Sequence, residues 1–367
     1  MKLTSLAGLI KQRQMVEIDI PRMSVIEPLE SFFNAMRGAF QSANDSICEK
    51  RKFDLIIAEN NVSIYLAGDG LQSIICPALE HLEAHSIDRP DIEIFIWDEK
   101  SSGVPLPYQP WDLSQVDESK AFVFSHTDLF RISISPDREV IAIGDCSSNQ
   151  IYMWIEDATN ILTYDYAAPL MHIFRKWIIG NDLGIVHAGC VGDENGAVLL
   201  VGKGGSGKST VSLLSVLHGL DYLSDDYTLV KFGAKPEAFC LYNTGKLHAD
   251  HLKRFPELAR LAVNPKPDQF GKPLIYLHRY FPRQIAIRRN LKAIVAPVVT
   301  GKTDSRLFKA SAIETLKSLA LSTILQLKSE DKLFLKKMAG LAQVLPGYIM
   351  ELGTDTDQIA PLVRQLL

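Results

Sequence analysis

No stretch of the 367-residue sequence approaches the roughly 18 consecutive apolar residues that a membrane-spanning helix needs. The N-terminus also lacks the basic-then-apolar pattern of a secretory signal. The five cysteines are scattered along the chain and form neither a CxxC pair nor a zinc-binding spacing. These absences argue against a membrane protein and against a disulfide-stapled secreted domain. They predict a cytoplasmic protein with no membrane partner.

The net charge is only −4, but it is unevenly distributed. Between Lys231 and Ala310 there are 16 Lys or Arg against 5 Asp or Glu, so the rest of the chain has 23 basic and 38 acidic residues. A basic segment of this kind suits a polyphosphate or another acidic ligand, although a solvated basic face explains any single residue equally well. No helix-turn-helix, RNP or zinc-finger pattern accompanies the charge, which argues against nucleic acid as a partner.

The most informative stretch is GKGGSGKST, residues 202–210, here called the glycine-rich loop. It follows a short apolar run, 197–201, and precedes an apolar-periodic segment, 211–217. Strand, loop and helix in this order, with the spacing GxxxxGK[ST], predict a phosphate-binding P-loop. The alternative is a chance glycine-rich turn, which the flanking strand and helix disfavour.

The P-loop prediction assigns a role to each residue type in the loop. Glycines allow backbone N–H groups to turn towards a phosphate, and the helix N-terminus adds partial positive charge. Lys208 is expected to reach the β- and γ-phosphates of ATP, and the Ser209 hydroxyl to bind Mg²⁺. The candidate nucleotide-binding residues are Gly202, Gly204, Gly205, Ser206, Gly207, Lys208, Ser209 and Thr210.

A histidine is expected beside this loop. Residues 193–196 (Asp-Glu-Asn-Gly) have strong turn chemistry and predict a β-hairpin between two apolar runs. If residue 193 pairs with residue 196, His187 lies opposite Gly202. If the two turn residues are instead Asn195 and Gly196, the partner of His187 moves only to Gly204. The hairpin also predicts that the strand before the loop has an antiparallel neighbour. A lone histidine in a strand is usually structural, but this position favours a functional one.

Two adjacent aspartates follow the loop. A short strand, 220–224, ends at Asp225 and Asp226, and the run 227–232 is again strand-like. In phosphoryl transfer one carboxylate can hold Mg²⁺ while another accepts the proton of an attacking hydroxyl. Neighbouring residues on an extended segment point to opposite faces, so the two are expected to have different partners. The alternative is a simple turn or helix cap.

The N-terminal half contains no catalytic pattern. A helix is predicted from residue 26 to 40, followed by short strands and a helix-like span over 71–85. We interpret residues 1–165 as a small α+β domain with an antiparallel sheet, which binds substrate or partner. Residues 166–367 form the predicted catalytic domain, which begins with a helix predicted over 167–179.

The runs IVHAGCVG, GAVLLVGKGGSGKST and LDYLSDDYTLV resemble the catalytic domain of HPr kinase/phosphorylase. The resemblance is closer to the HPr-kinase-like proteins of bacterial peptide-maturation clusters, including lasso-peptide kinases. Those proteins have a stretch like Leu241–Leu247, then a lysine like Lys272 and a strand like Leu291–Pro297. The resemblance covers roughly residues 165–352. It implies an α/β fold of the HPr kinase and phosphoenolpyruvate carboxykinase type, with a mixed sheet.

The resemblance also implies residue roles. It places Lys208 on the phosphates, Asp225 with Ser209 at Mg²⁺, and Asp226 as the base, with His187 orienting that carboxylate or the γ-phosphate. The arginine-rich signature that HPr kinases carry in a later loop is absent from this sequence, so the likeness does not extend to HPr as substrate or to the reverse reaction. The candidates to supply the missing positive charge are Lys246, Lys272, Arg279 and Arg283.

The resulting hypothesis is an ATP-dependent kinase that phosphorylates a hydroxyl, favouring serine in a peptide or protein. A sugar or nucleoside kinase and a non-catalytic nucleotide-binding regulator remain alternatives. Peptide and small-molecule kinases cannot be separated from the sequence, whereas Lys208, Ser209 and both aspartates argue against the regulator. HPr kinases are homo-oligomers, and the resemblance implies the same assembly here.

Overall fold

The computed structural model describes residues 15–17, 26–48, 50–110, 122–126, 129–135, 139–161, 163–177, 182–263, 272–327 and 332–367. Helices and strands are interspersed through these ranges, and the sheets contain both parallel and antiparallel pairs. The fold is therefore mixed α/β with mixed sheets. No helix within the described ranges combines the length and apolarity needed to cross a bilayer.

The chain divides into two compact units. The first unit comprises 1–53, 63–71 and 90–161, and the second comprises 54–62, 72–89 and 162–367. Two segments that precede residue 165 therefore group with the C-terminal part of the chain. The assignment of separate functions to the two parts stays a prediction.

One large sheet dominates the N-terminal elements. In chain order these elements are β1 (Met15–Glu17), α1 (Ile26–Ser46), β2 (Lys50–Ile57), β3 (Asn60–Ala67), α2 (Leu71–Ile75), β4 (Ile92–Asp98), α3 (Glu99–Ser102), β5 (Phe122–His126), β6 (Phe130–Ser135), β7 (Val140–Asp145) and β8 (Gln150–Ile155). The strand order is β1-β5-β6-β7-β8-β4-β3-β2. The β4–β8 and β1–β5 pairs are parallel, so the predicted antiparallel sheet is wrong. The chain forms the antiparallel β5–β8 meander before β8 returns beside β4. A connection of this length is what a parallel pair requires.

Helix α1 covers one face of this sheet and is longer than predicted. Its apolar residues recur every three or four positions, which places Phe33, Met36 and Phe40 on one buried stripe. The Phe33 and Tyr152 rings meet edge to face with centroids 5.2 Å apart. Trp97 is fully buried in the same cluster, and its indole N–H donates to the Val104 carbonyl. The first unit thus has an aromatic core, and the indole N–H of Trp97 within it has a hydrogen-bond acceptor.

The second unit is built on a nine-stranded sheet. Its elements in chain order are α4 (Thr163–Ala167), α5 (Met171–Trp177), β9 (Leu183–His187), β10 (Gly189–Asp193), β11 (Gly196–Leu200), α6 (Lys208–Leu217), β12 (Asp221–Ser224), β13 (Tyr227–Lys231), β14 (Glu237–Phe239), β15 (Thr244–Lys246), α7 (Ala249–Leu252), α8 (Pro256–Ala259), β16 (Leu274–Tyr276), β17 (Arg288–Val299), β18 (Arg306–Ala310), α9 (Ala312–Leu327), α10 (Lys332–Val344), β19 (Gly347–Leu352) and α11 (Ile359–Arg364). Seven strands follow the order β12-β10-β11-β17-β14-β13-β9, and β19 joins β17 to β18. Strands β15 and β16 form a separate pair.

The centre of this sheet supports the glycine-rich loop. Strand β11 pairs antiparallel with β10 and parallel with β17, which confirms the predicted mixed sheet. Helix α6 is apolar on two sides: Leu213 and Val216 enter one core cluster, and Val211 and Leu214 enter another. Because both ends of the loop continue into buried elements, its position in the second unit is well constrained.

Two predicted helices have the wrong extent. The span predicted over 71–85 is helical only at α2, with a single 3₁₀ turn at Glu80–Leu82. Pro77 explains this break, because proline has no N–H and disfavours a helical residue before it. The helix predicted over 167–179 begins only at Met171, after Pro169. Residues 178 and 179 of that prediction lie outside the described residues.

The predicted partner of His187 is also wrong. The hairpin does pair Asp193 with Gly196, but its ladder stops at Gly189–Leu200. His187 lies on the separate strand β9, opposite Tyr227 of β13. The chain turns at Ala188, whose N–H donates to the Val186 carbonyl. The Ala188 carbonyl in turn accepts from the Ser224 and Thr228 hydroxyls.

Candidate functional site

The glycine-rich loop has the strand–loop–helix context that its sequence predicts, between β11 and α6. Gly207 caps α6 in a left-handed conformation (φ 108°). The Leu352 side chain occupies the space that a Cβ at Gly207 would need. Any other residue here would both strain the backbone and collide with β19. The Ser206 hydroxyl is buried in the loop and has no hydrogen-bond partner among the described residues, so it is available to a ligand.

The Lys208 side chain is buried and folds back onto the start of the glycine-rich loop. Its Nζ donates to the Gly202 carbonyl at 2.6 Å, with the Lys203 carbonyl at 3.4 Å. Burial lowers the pKa of Lys208, and the charges of Asp226 and Asp225 oppose that shift. The lysine therefore lies within electrostatic reach of the aspartate pair, and an anionic ligand could replace the carbonyls as its partner.

Asp225 is a buried carboxylate with one unpaired oxygen. Its Oδ2 accepts from the Lys246 backbone N–H at 2.9 Å, while Oδ1 has no hydrogen-bond partner among the described residues. Burial raises the pKa of Asp225 to about 6, and the adjacent charge of Asp226 adds to this shift. The Lys246 N–H and the nearby Ser209 hydroxyl act in the opposite direction. A buried carboxylate with a vacant oxygen beside a hydroxyl is a donor set that suits Mg²⁺.

Asp226 faces different partners. Its Oδ2 lies 3.0 Å from Lys246 Nζ and its Oδ1 lies 3.6 Å from His187 Nε2. Its side chain is 25% exposed, so solvent or a ligand can reach it. Burial would raise the pKa of Asp226, but the nearby charge of Lys246 holds it well below its usual value. The two aspartates thus have different surroundings, as expected for neighbours on an extended segment. Asp225 points inward with one vacant oxygen, whereas Asp226 is partly exposed and ionised.

His187 connects Asp226 to helix α9. Its Nδ1 lies 2.8 Å from the Ser322 hydroxyl, and its backbone N–H donates to the Thr323 hydroxyl at 3.3 Å. Burial lowers the pKa of His187, although Asp226 partly opposes this shift. The imidazole is therefore neutral at physiological pH.

Ser322 is a site residue that the sequence analysis missed. Its hydroxyl also lies 2.8 Å from the carbonyl of Gly202, the first residue of the glycine-rich loop. The available signal was the pair Ser322–Thr323 within an apolar helix, because buried hydroxyls there need specific partners.

The four basic candidates separate into two groups. Lys246 is buried and contacts both aspartates, and the charge of Lys272 acts on both Lys208 and Asp226. Arg279 pairs instead with Glu80 at 3.2 Å and lies over the Tyr276 ring. Arg283 is exposed on a 3₁₀ turn. The structure therefore places Lys246 in contact with both aspartates and Lys272 within electrostatic reach of Asp226.

A small polar cavity of about 10 Å³ lies against the aspartates, which is room for about one water molecule. Its lining includes Asp225, Asp226, Lys246 and the aromatic residues Tyr227 and Tyr242. No group of three or more His, Cys, Asp or Glu in the described part of the chain is arranged to hold a metal ion by itself. A divalent ion here would therefore need ligands beyond these carboxylates, such as Ser209 and phosphate oxygens.

No protein-family model and no curated protein sequence matches the chain. Among solved structures, the HPr(Ser) kinase/phosphatase from Coxiella burnetii is similar, with 12% identity and a TM-score of 0.28. The match covers 50% of this chain and 92% of that one. A TM-score below 0.5 does not establish a shared fold, so function is inferred below from the geometry of the site.

Proposed function

We propose that the protein is an ATP-dependent kinase that transfers the γ-phosphoryl group to a hydroxyl, most simply a serine of a peptide or protein. The observation that supports this most strongly is the convergence of three chain segments. Lys208 of the glycine-rich loop, the pair Asp225–Asp226 and His187 lie within one charged cluster. Phosphoryl transfer needs positioning and electrostatics rather than covalent catalysis, and this cluster supplies both.

In this proposal the glycine-rich loop and the start of α6 bind the β- and γ-phosphates of ATP. The backbone N–H groups of the first helical turn have no partner within the helix and favour an anion. Lys208 exchanges its bonds to the Gly202 and Lys203 carbonyls for phosphate oxygens. The Ser206 hydroxyl, buried and unpaired, adds a donor at the same place.

Ser209 and the vacant oxygen of Asp225 are the residues that would hold Mg²⁺. The ion, when bound with the nucleotide, supplies positive charge that offsets charge on the phosphate oxygens. Ionised Asp225 is unfavourable without a cation because it is buried beside Asp226. That cost is a reason to expect a cation at this point in the working protein.

Asp226 is the proposed acceptor of the proton from the attacking hydroxyl. It is ionised and partly exposed beside the cavity that reaches the aspartates. Lys246 holds its Oδ2 and thereby orients the carboxylate. A base held at low pKa is weak, so the carboxylate works mainly by orienting the hydroxyl and by accepting its proton late in the transfer.

The choice of a peptide hydroxyl rests on the resemblance of the motifs to HPr-kinase-like peptide kinases. The first unit, which this resemblance does not cover, is proposed to bind substrate or partner. The homo-oligomer and the cytoplasmic location also stay predictions.

Replacing the loop lysine tests the proposal. Lys208→Ala should lose most Mg·ATP affinity or turnover, because no other buried cation belongs to the loop. Titration calorimetry with Mg·ATP measures the affinity, and transfer from γ-labelled ATP to seryl peptides, sugars and nucleosides measures turnover. Lys235→Ala is the control, since it removes the same charge from an exposed position outside the site.

The wild-type protein and the control should bind Mg·ATP and label a hydroxyl acceptor. Unchanged binding and unchanged turnover in Lys208→Ala would remove the nucleotide assignment. Labelling of sugars or nucleosides alone would replace the peptide substrate with a small molecule. Binding without any transfer or hydrolysis would favour a nucleotide-binding regulator.

A further inference from the structure

The Ser322 hydroxyl lies at a crowded point between helix α9, strand β9 and the glycine-rich loop. It is 2% exposed. Three polar atoms surround it: His187 Nδ1 at 2.8 Å, the His187 carbonyl at 2.9 Å and the Gly202 carbonyl at 2.8 Å. A hydroxyl has one hydrogen to donate and two lone pairs, so these three neighbours cannot all accept from it.

Counting hydrogens decides the arrangement. Both carbonyl oxygens can only accept, so the Ser322 hydrogen must point to one of them or be shared between them. If that hydrogen pointed instead to His187 Nδ1, both carbonyls would face Ser322 lone pairs at hydrogen-bond distance in a buried site. The Gly202 carbonyl still accepts from Lys208 Nζ, so the cost falls mainly on the His187 carbonyl. The satisfied arrangement is therefore a hydrogen on Nδ1 that donates to the Ser322 oxygen.

The opposite ring nitrogen then has a lone pair. In a neutral imidazole only one nitrogen is protonated, so Nε2 of His187 is left as an acceptor. It lies 3.6 Å from Asp226 Oδ1, which is longer than an N–H···O hydrogen bond. An unprotonated Nε2 accounts for the absence of a direct hydrogen bond between these two atoms at this distance.

We infer that Ser322 is a positioning residue that holds His187 in the Nδ1-protonated tautomer, so that Nε2 is free to accept a proton from Asp226. The inference rests on the proposed kinase reaction. In that reaction the acceptor oxygen attacks the γ-phosphorus, and the bond between the γ-phosphorus and the leaving oxygen of ADP breaks. The hydroxyl proton moves to Asp226. The proton then passes from Asp226 to His187 Nε2, which restores the carboxylate and gives an imidazolium that later loses its proton to water.

A purely structural role for Ser322 predicts something different. In that case the hydroxyl only fastens α9 to β9 and the loop, and its loss should resemble the loss of the neighbouring hydroxyl. Thr323 provides this comparison, because it is equally buried and contacts the His187 backbone N–H rather than the ring. The pair Ser322→Ala and Thr323→Val therefore separates ring positioning from packing.

The tautomer can be observed directly in the full-length protein by NMR after labelling histidine with ¹⁵N. The chain has nine histidines, and His187→Gln identifies the signals of His187. Wild type should show a protonated, pyrrole-type Nδ1 and an unprotonated, pyridine-type Nε2. Ser322→Ala should move the proton to Nε2, where Asp226 can accept from it, and Thr323→Val should leave the wild-type pattern.

Turnover supplies the second measurement. Ser322→Ala should lower kcat by about 10²-fold, the lower end for a misplaced acid–base group, with Mg·ATP affinity within about twofold. Ser322→Thr, which retains the hydroxyl, should restore both the tautomer and most of kcat.

The inference is wrong if NMR of the wild-type protein shows His187 protonated on Nε2. This result does not depend on the variants, so it holds even if Ser322→Ala does not fold. The same holds if Ser322→Ala and Thr323→Val shift the tautomer equally. Absence of ATP binding and transfer in wild type would instead remove the proposed kinase function. The tautomer would still be decided by NMR, so the two failures are distinguishable.

Discussion

The two compact units differ in what they bury. The core of the first unit is aromatic, and its buried charged residue Asp98 accepts hydrogen bonds from backbone N–H groups of Ser101 and Ala158. The second unit buries Lys208 and Asp225 around a vacant carboxylate oxygen. Buried charge without full pairing lowers stability. Among the described residues we find it in the second unit, where we propose that binding and catalysis take place. The first unit is organised for packing, and the second carries a site.

The largest expected effect is on turnover in the second unit. Asp226→Asn should lower phosphoryl transfer by about 10²–10⁴-fold, because it removes the group that accepts the hydroxyl proton. Mg·ATP binding should persist, since Lys208 and Asp225 are unchanged. Transfer from γ-labelled ATP and calorimetry measure the two effects, with the exposed Asp357→Asn as the control. If Asp226→Asn shifts the Mg²⁺ dependence instead, the two aspartates have each other's role.

Next in size is the loss of packing in the first unit. Trp97→Ala should destabilise that unit by about 3–5 kcal/mol, because it leaves a large cavity and an unpaired Val104 carbonyl. Tyr108→Ala is the control, as this aromatic side chain is 92% exposed and should change stability by less than about 0.5 kcal/mol. Thermal unfolding monitors stability. Mg·ATP binding below the transition should be unchanged in both variants. Lost nucleotide affinity in Trp97→Ala would contradict the separation of roles between the units.

The smallest predicted effect is a gain in stability at the site. The pKa of Asp225 is raised to about 6, above the ~3.9 of an unfolded aspartate, so ionised Asp225 destabilises the folded protein above pH ~6. Asp225→Asn should therefore raise Tm by about 2–6 °C at pH 7 in EDTA. The gain should shrink as the pH falls through about 6 and should vanish below about 4, where wild-type Asp225 becomes protonated in the unfolded state as well as in the folded state.

The same Asp225→Asn variant should need more Mg²⁺ for half-maximal turnover, because it removes a ligand charge. Asn243→Asp at another buried polar position should destabilise, since it adds a charge instead of removing one. A lower Tm for Asp225→Asn at pH 7 in EDTA would show that the ionised carboxylate is compensated without a cation.

Much of the fold could be predicted from local patterns. The strands flanking the glycine-rich loop, the hairpin turn at 193–196 and helix α1 follow from periodicity and turn residues, which act over a few positions. The antiparallel sheet of the N-terminal half was predicted wrongly because strand pairing depends on which segments meet across some fifty residues. The long helix over 71–85 failed for a local reason, the proline at position 77.

By itself the sequence determined the residue types of the site and their local order: a lysine and hydroxyls in a glycine-rich loop, and two aspartates after a strand. Only the tertiary structure decided which distant groups meet them. A turn at Ala188 moved His187 from the hairpin to the strand beside Tyr227, and helix α9, more than a hundred residues later, brought Ser322 against it. Lys246 approached the aspartates while Arg279 paired with Glu80, a choice that their shared charge does not reveal. Local sequence sets backbone preference and chemistry, whereas contacts between distant segments are set by how whole elements pack.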